Sequence, residues 1–215
     1  GMTFEIVSGK EQLILVKEVM KQLKIKDLTI GTVLREISLA KNNLIFVDEF
    51  RDLFAGDKTM LKVADIYERY DELKFKKMLL DFDDLLIQSY VLLRDNEKIR
   101  GKYLEMFNSV LIDEFQDTNP VQLSLLKLLI TENQDNSSFW VCGDDHQSIY
   151  GFAGASVGNI LNFKTMFPLS EQFILELNFR STQKIVQACS NLSQHFKRQI
   201  TKNFKTNNIE GDEII

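Results

Sequence analysis

The sequence predicts an α/β fold, with a parallel sheet in its second half and a largely helical region ahead of it. Three observations carry this expectation. The first half shows helical spacing and contains no proline. Two short apolar runs, at 110–112 and 139–142, each stop abruptly at acidic residues, as buried parallel strands do. Between them, Asn119-Pro120 places a capping residue before a proline at the first helical position, and an apolar-rich stretch follows to about Ile130.

Taken in order, Ser8 and Glu11 have capping-box spacing, and Leu13, Val16, Met20 and Leu23 recur at steps of three and four, so a helix is expected there. Residues 27–60 are irregular in pattern, punctuated by Gly31 and Gly56. Helical spacing returns over 61–95, with Ile66, Tyr70 and Leu73 as its apolar set. The run Val110–Ile112 then reads as a strand ending at Asp113-Glu114, and Phe139–Cys142 as a second ending at Gly143-Asp144-Asp145. Strand, helix, strand makes a βαβ unit. A third run, Phe173–Leu177, ends at Asn178-Phe179-Arg180, and Ser181 is placed to cap a helix with the apolar face Ile185, Cys189, Leu192 and Phe196. The Lys/Asn-rich stretch Lys197–Asn208 reads as a mobile tail or linker.

Composition narrows the function classes. At 215 residues and 44% hydrophobic content, the chain can build one large or two small cores without covalent staples. Cys142 and Cys189 form no CxxC or Cys/His metal spacing, which points to a reducing, cytoplasmic setting. No apolar run reaches the roughly 18 residues of a membrane helix, so no membrane partner is expected. Gly1 before Met2 resembles a residue left by tag removal, and whether Met2 is a native start stays open. A net charge of −5 restricts any nucleic-acid contact to local patches.

Ligands of open parallel sheets bind beyond the carboxyl ends of the strands. Here those ends carry Asp113-Glu114, then Asp144-Asp145 with Gln147, then Arg180. A magnesium-bound phosphate suits such a crevice: a carboxylate for the metal, another for a water, an amide for the terminal phosphate, a cation for developing charge. For Asp113-Glu114 alone, acids at a helix start meeting the positive end of its dipole are the plain alternative.

The wider strings are more specific. VLIDEFQDTN at 110–119, GDDHQSIYGF at 143–152 and LELNFRS at 175–181 closely resemble motifs II, III and IV of superfamily 1 helicases of the UvrD/Rep/PcrA group. FEIVSGKEQL at 4–13 and LLDFDDLL at 79–86 more weakly resemble that family's accessory domain and its junction with the motor. The resemblance implies a partial RecA-like P-loop NTPase sheet. Residues 1–106 would be a helical accessory domain, 107–176 part of the first RecA-like domain, and 177–215 the start of the second.

The resemblance also implies roles. Asp113 would hold magnesium, with Glu114 as a further ligand candidate, and Glu114 would be the base that activates the attacking water. Gln147 would contact the terminal phosphate, and Arg180 would act as an arginine finger. Phe179 would stack on the nucleotide base, in place of the family's usual tyrosine. Tyr150 and Phe152 would stack on single-stranded DNA bases, with core packing as the alternative. Phe152-Ala153 stands where the family commonly has Trp-Arg, which weakens stacking and removes a cation that couples ATP to DNA.

Two decoys and one gap complete the reading. LIFVDEF at 44–50 imitates motif II, but Arg51-Asp52-Leu53 follows it, so Asp48 and Glu49 are read as surface acids. Gly9-Lys10 and Gly101-Lys102 lack the earlier glycine and the Ser/Thr of a phosphate-binding loop. The chain is therefore expected to be a fragment of an ATP-dependent DNA helicase acting on single-stranded DNA. The parent enzyme would use ATP and magnesium, and neither would bind tightly to the fragment. Its partners would be single-stranded DNA and the missing P-loop segment, with a dimer through an uncovered sheet edge as one remedy for the gap. A naturally truncated, non-catalytic DNA- or partner-binding protein is the alternative. Lys74, Lys76 and Lys77, and the later group Lys197, Arg198, Lys202 and Lys205 near Phe196 and Phe204, are read as DNA-backbone contacts or solvated helix faces. His146 and His195 are too isolated for a metal site.

Overall fold

Helix α1 (Lys10–Gln22) begins one residue later than the Ser8/Glu11 spacing suggests. Gly9 takes the cap position, and its backbone N–H donates to the Gln12 side chain at 3.1 Å. The computed structural model describes residues 3–130, 138–148, 157–197 and 199–213. Short strand β1 (Glu5–Ile6) precedes α1, and β2 (Leu79–Leu80) pairs parallel to it, Glu5 opposite Leu79 and Ile6 opposite Leu80.

The stretch 27–60, irregular by pattern, folds as helices α2 (Ile30–Asn42) and α3 (Val47–Leu53) and the opening of α4 (Lys58–Lys76). The stop signals are missing from the sequence because the helices end without glycine. Lys24 and Leu44 take left-handed backbone angles, φ 58° and 59°, just past α1 and α2. The amides after them, Ile25 and Ile45, donate back to the carbonyls of Met20 and Ala40 at 3.0 and 2.9 Å. Both are Schellman closures, which glycine usually makes and which cost a side-chain-bearing residue some strain. The expected apolar face of α4 is confirmed: Ile66 and Tyr70 are buried with Val16, Val19, Val33 and Val63 in one core shared by α1 to α4. Asp48 and Glu49 of the motif II imitation lie in the first turn of α3, where Glu49 accepts the Phe46 N–H at 2.8 Å. They are helix-start acids.

Helices α5 (Phe82–Asp95) and α6 (Glu97–Met106) lead into the second half, and α5 packs on both α2 and α7 (Pro120–Leu129). Lys74, expected at a solvated face or on a DNA backbone, is instead fully buried. Its ammonium donates to Asp81 Oδ2 at 2.6 Å and to Asp84 Oδ2, while Lys41 donates to Asp84 Oδ1 at 2.5 Å and to Asp71 at 2.8 Å. Asp81 and Asp84 also cap α5 reciprocally, and Tyr70 Oη donates to Asp81. Burial alone would raise the Asp81 pKa, but the facing Lys41 and Lys74 outweigh it and hold it down to about 2. Asn42 donates to Asp83 at 3.0 Å and accepts from the Asn119 amide at 2.6 Å, so this polar core reaches the cap of α7.

The βαβ unit forms as expected. Strands β3 (Ser109–Ile112) and β4 (Ser138–Val141) pair parallel, with Ile112 opposite Val141, and α7 connects them. Asn119 caps α7 through the Gln122 amide at 2.9 Å, ahead of Pro120. The strands are not buried on both faces, however. Leu111 is 71% and Trp140 60% exposed, leaving one face of this two-stranded sheet uncovered.

Short helices α8 (Gly158–Leu161) and α9 (Phe163–Met166) follow, and Phe163 and Phe167 pack on Phe139 of β4. The third expected strand is reduced to a single parallel bridge between Leu177 and Lys205. Among the described residues this segment joins neither two-stranded sheet, and Phe173 and Leu175 stay exposed instead of entering a core. Helix α10 (Gln183–Ser193) has Thr182 at its cap position, one residue past the expected Ser181, and its expected apolar face is largely exposed, with Val186 its buried residue. Among the described residues no helix is long and apolar enough to cross a membrane.

Candidate functional site at the ends of the parallel strands

The chain must turn sharply where β3 ends, and it does so at Glu114, which takes the left-handed conformation with φ 52°. A non-glycine residue there is held against its steric preference by what surrounds it. Asp113 Oδ1 accepts the Glu114 N–H at 3.0 Å. Phe115 N–H donates to the Cys142 carbonyl at 2.9 Å, and the fully buried Phe115 ring packs edge-on against Phe163. The turn leaves both carboxylates exposed at the strand end.

Gln116 is the hub beneath them. Almost fully buried, it donates from Nε2 to Glu114 Oε2 at 2.7 Å and accepts the Asp144 N–H on Oε1 at 2.9 Å. One amide thus ties the acidic end of β3 to the loop that follows β4. Gly143 is required by the closeness of this contact: a Cβ there would lie 2.6 Å from Gln116 Oε1 and 2.9 Å from Ile160 Cδ1. Beyond it, Asp144 caps a short 3₁₀ turn (Asp145–Gln147) by accepting the His146 N–H, and its Oδ2 accepts from Gln147 Nε2 at 2.7 Å. Burial would raise the Asp144 carboxyl, but hydrogen bonds from Lys202, Gln147 and the His146 amide hold it below the usual carboxylate range.

The structure therefore brings Asp113, Glu114 and Gln147 to one end of the parallel pair and joins Glu114 to the Gln147 loop through Gln116. Phe179 and Arg180 sit on an exposed turn whose amides at Arg180 and Ser181 donate to Asn178 Oδ1, both at 2.8 Å. Among the described residues no ion pair includes Arg180, and the Phe179 ring is 80% exposed. Tyr150 and Phe152 lie outside the described residues. A cavity of about 330 Å³, lined by Leu111, Ile112, Asp113, Trp140, Val141 and Cys142, opens on the uncovered sheet face and reaches Asp113. Both cysteines are free and exposed.

Sequence reasoning missed two parts of this site. Gln116 lies inside the motif II string, and its amide among three acids was the available signal. The Lys/Asn-rich stretch, expected as a mobile tail or linker, docks here instead. Lys202 pairs with Asp144 and Asp145, the Ile200 N–H donates to Asp145 Oδ2 at 2.7 Å, and His146 Nε2 bonds Gln199 Oε1 at 2.8 Å. No periodic pattern announces such an irregular segment.

Carboxylates and an amide gathered beyond the carboxyl ends of a parallel strand–helix–strand unit make this an α/β chain with polar groups where ligands of parallel sheets bind. The comparisons with known proteins narrow this. Residues 2–168 match the model of the UvrD/REP helicase N-terminal domain, and the chain belongs to that family. It is 33% identical over 214 residues to the ATP-dependent DNA helicase PcrA of Leuconostoc citreum, which covers 98% of this chain and 28% of that protein. Against PcrA of Bacillus subtilis (strain 168) it is 33% identical over 213 residues, with the same coverage of each. DNA helicase II of Escherichia coli (strain K12) is 37% identical over 149 residues, 69% of this chain and 20% of the relative. The chain spans under a third of the length of these relatives.

Proposed function

We propose that these 215 residues form the magnesium-and-water side of the ATP site of an ATP-dependent DNA helicase or translocase that moves on single-stranded DNA. The observation that carries the reading is the hydrogen-bonded path from Glu114 through Gln116 to the Asp144–Gln147 loop, built across adjacent ends of two parallel strands. It fixes an acid pair and an amide as one unit, as phosphoryl transfer to water requires.

Asp113 is the residue that would hold magnesium. Its exposed carboxylate, with that of Glu114 adjacent, suits a cation that takes one or two carboxylates and completes its shell with phosphate and water. When bound, magnesium supplies charge neutralisation at the β and γ phosphates. Glu114 orients the attacking water and accepts its proton. Gln147 contacts the terminal phosphate and reports its loss, Arg180 stabilises the developing charge, and Phe179 offers its exposed ring to the base. Tyr150 and Phe152 stack on DNA bases as they pass.

In this reading, residues 1–106 are the accessory domain, 107–176 part of the first motor domain and 177–215 the start of the second. No Gly-Lys-Ser/Thr loop occurs in these 215 residues, so most ground-state phosphate binding is missing from them. The chain by itself then hydrolyses ATP negligibly. A steady-state ATPase assay with single-stranded DNA tests this: background turnover is expected, and robust turnover abolished by Glu114→Gln would overturn it.

A further inference from the structure

The segment after α10 makes contacts that the proposed catalytic roles leave unused. The Lys202 side chain is 10% exposed, and its ammonium sits between two adjacent carboxylates, Asp144 Oδ1 and Asp145 Oδ1. The Asp145 side chain is fully shielded from solvent, and its second oxygen accepts the Ile200 N–H at 2.7 Å. A buried carboxylate of this kind is held only while its cation stays. His146, between these acids and Gln147, has its ring nitrogen on Gln199 at 2.8 Å and its ring edge-on to Phe196 and Phe204, centroids 5.1 and 5.8 Å away.

Asp144 divides its carboxylate. Oδ1 takes Lys202, and Oδ2 takes the Gln147 amide at 2.7 Å. Its backbone N–H is already committed to Gln116. The orientation of the Gln147 side chain is thus set by a carboxylate whose own orientation is set by a lysine 58 positions further on. The same stretch is tied to the Arg180 turn: Asn178 N–H donates to the Lys205 carbonyl at 2.7 Å and Lys205 N–H to the Glu176 carbonyl at 2.9 Å.

We propose that Lys202 is a positioning residue for Gln147. By clamping Asp144 and Asp145 it parks the Gln147 amide and mechanically joins the loop after β4 to the turn that bears Phe179 and Arg180. A shift of either element then reaches the other through one buried ion cluster. The role assigned to Gln147 rests on the proposed ATP-site reading, but the clamp is a property of the chain itself and can be read without nucleotide.

The test is amide NMR and hydrogen exchange on the full 215-residue chain without nucleotide, comparing it with Lys202→Met. Expected are exchange at His146 and Gln147 at least about tenfold faster, a changed Gln147 side-chain NH₂ resonance, and unchanged exchange over Val63–Tyr70 in the helical core. Asp145→Asn gives the same signature, and adding it to Lys202→Met gives little more, because both remove one clamp. An unmoved Gln147 NH₂ resonance in Lys202→Met overturns the proposal, as does acceleration confined to residues 199–205. If Lys202→Met loosens the whole chain, Asp145→Asn decides: an unaltered Gln147 resonance there also overturns it. Failure of the ATP-site reading would leave these spectra as expected, so the two are separable.

Discussion

Replacing Asp84 with asparagine removes one carboxylate from a buried cluster that is otherwise balanced. Lys41 and Lys74 face Asp81 and Asp84, all four at most 5% exposed, with Asp71 at the half-exposed margin. Asp84 accepts from both ammonium groups and from the Asp81 N–H. Asparagine keeps the shape and one acceptor but leaves two buried ammonium groups against a single buried carboxylate. Breaking such a pair costs about 3–5 kcal/mol, a large share of a typical domain stability. Urea unfolding followed by far-UV circular dichroism reads the loss directly. The charge-balanced double variant Lys41→Met with Asp84→Asn should cost less than the sum of its parts by at least about 1 kcal/mol. The reasoning is refuted if Asp84→Asn changes stability by under about 0.5 kcal/mol, or if the two substitutions are additive within about the same margin.

Other outcomes follow from the same geometry. Asp81 has its folded pKa near 2, below the unfolded value of about 3.9, so its stabilisation is complete above about pH 5 and is lost as pH falls toward 2. That contribution is about 2 kcal/mol, and Asp81→Asn should flatten this part of an acid unfolding profile. Gly143→Ala drives a methyl into Gln116 Oε1 and Ile160, and should lower stability by about 1–3 kcal/mol while disturbing the Glu114 and Asp144 amide resonances together. Asn119→Ala removes the α7 cap and the link to Asn42, with an expected loss of about 1–2 kcal/mol in thermal or urea unfolding.

The strand–helix–strand unit was legible because its signals are local: an apolar run that stops at acids, and Asn119-Pro120 at a helix start. The acid pair and Gln147 were legible for the same reason, each lying at the end of such a run. Helices α2 and α3 were not, since Leu44 and Lys24 close helices in a conformation that sequence patterns assign to glycine. Phe173–Leu177 carries strand composition, but among the described residues it pairs only through the Leu177–Lys205 bridge, and composition cannot specify a partner. Lys74 and Lys202 show the remaining gap. A lysine on a charged helix and one in a polar tail look solvated in sequence, and only the fold brings Asp81 and Asp84, or Asp144 and Asp145, to face them.

In the proposed reading, Glu114 and its partners are the water-activating side of an ATP site whose phosphate-binding loop does not occur in these 215 residues. Grafting this chain into Bacillus subtilis PcrA in place of the region it aligns with would test it most directly, by ATP turnover with and without single-stranded DNA. The account predicts DNA-stimulated turnover that Glu114→Gln lowers by about 10²-fold or more, with Arg180→Ala at least as damaging. Turnover in the graft that is unaffected by Glu114→Gln would contradict it.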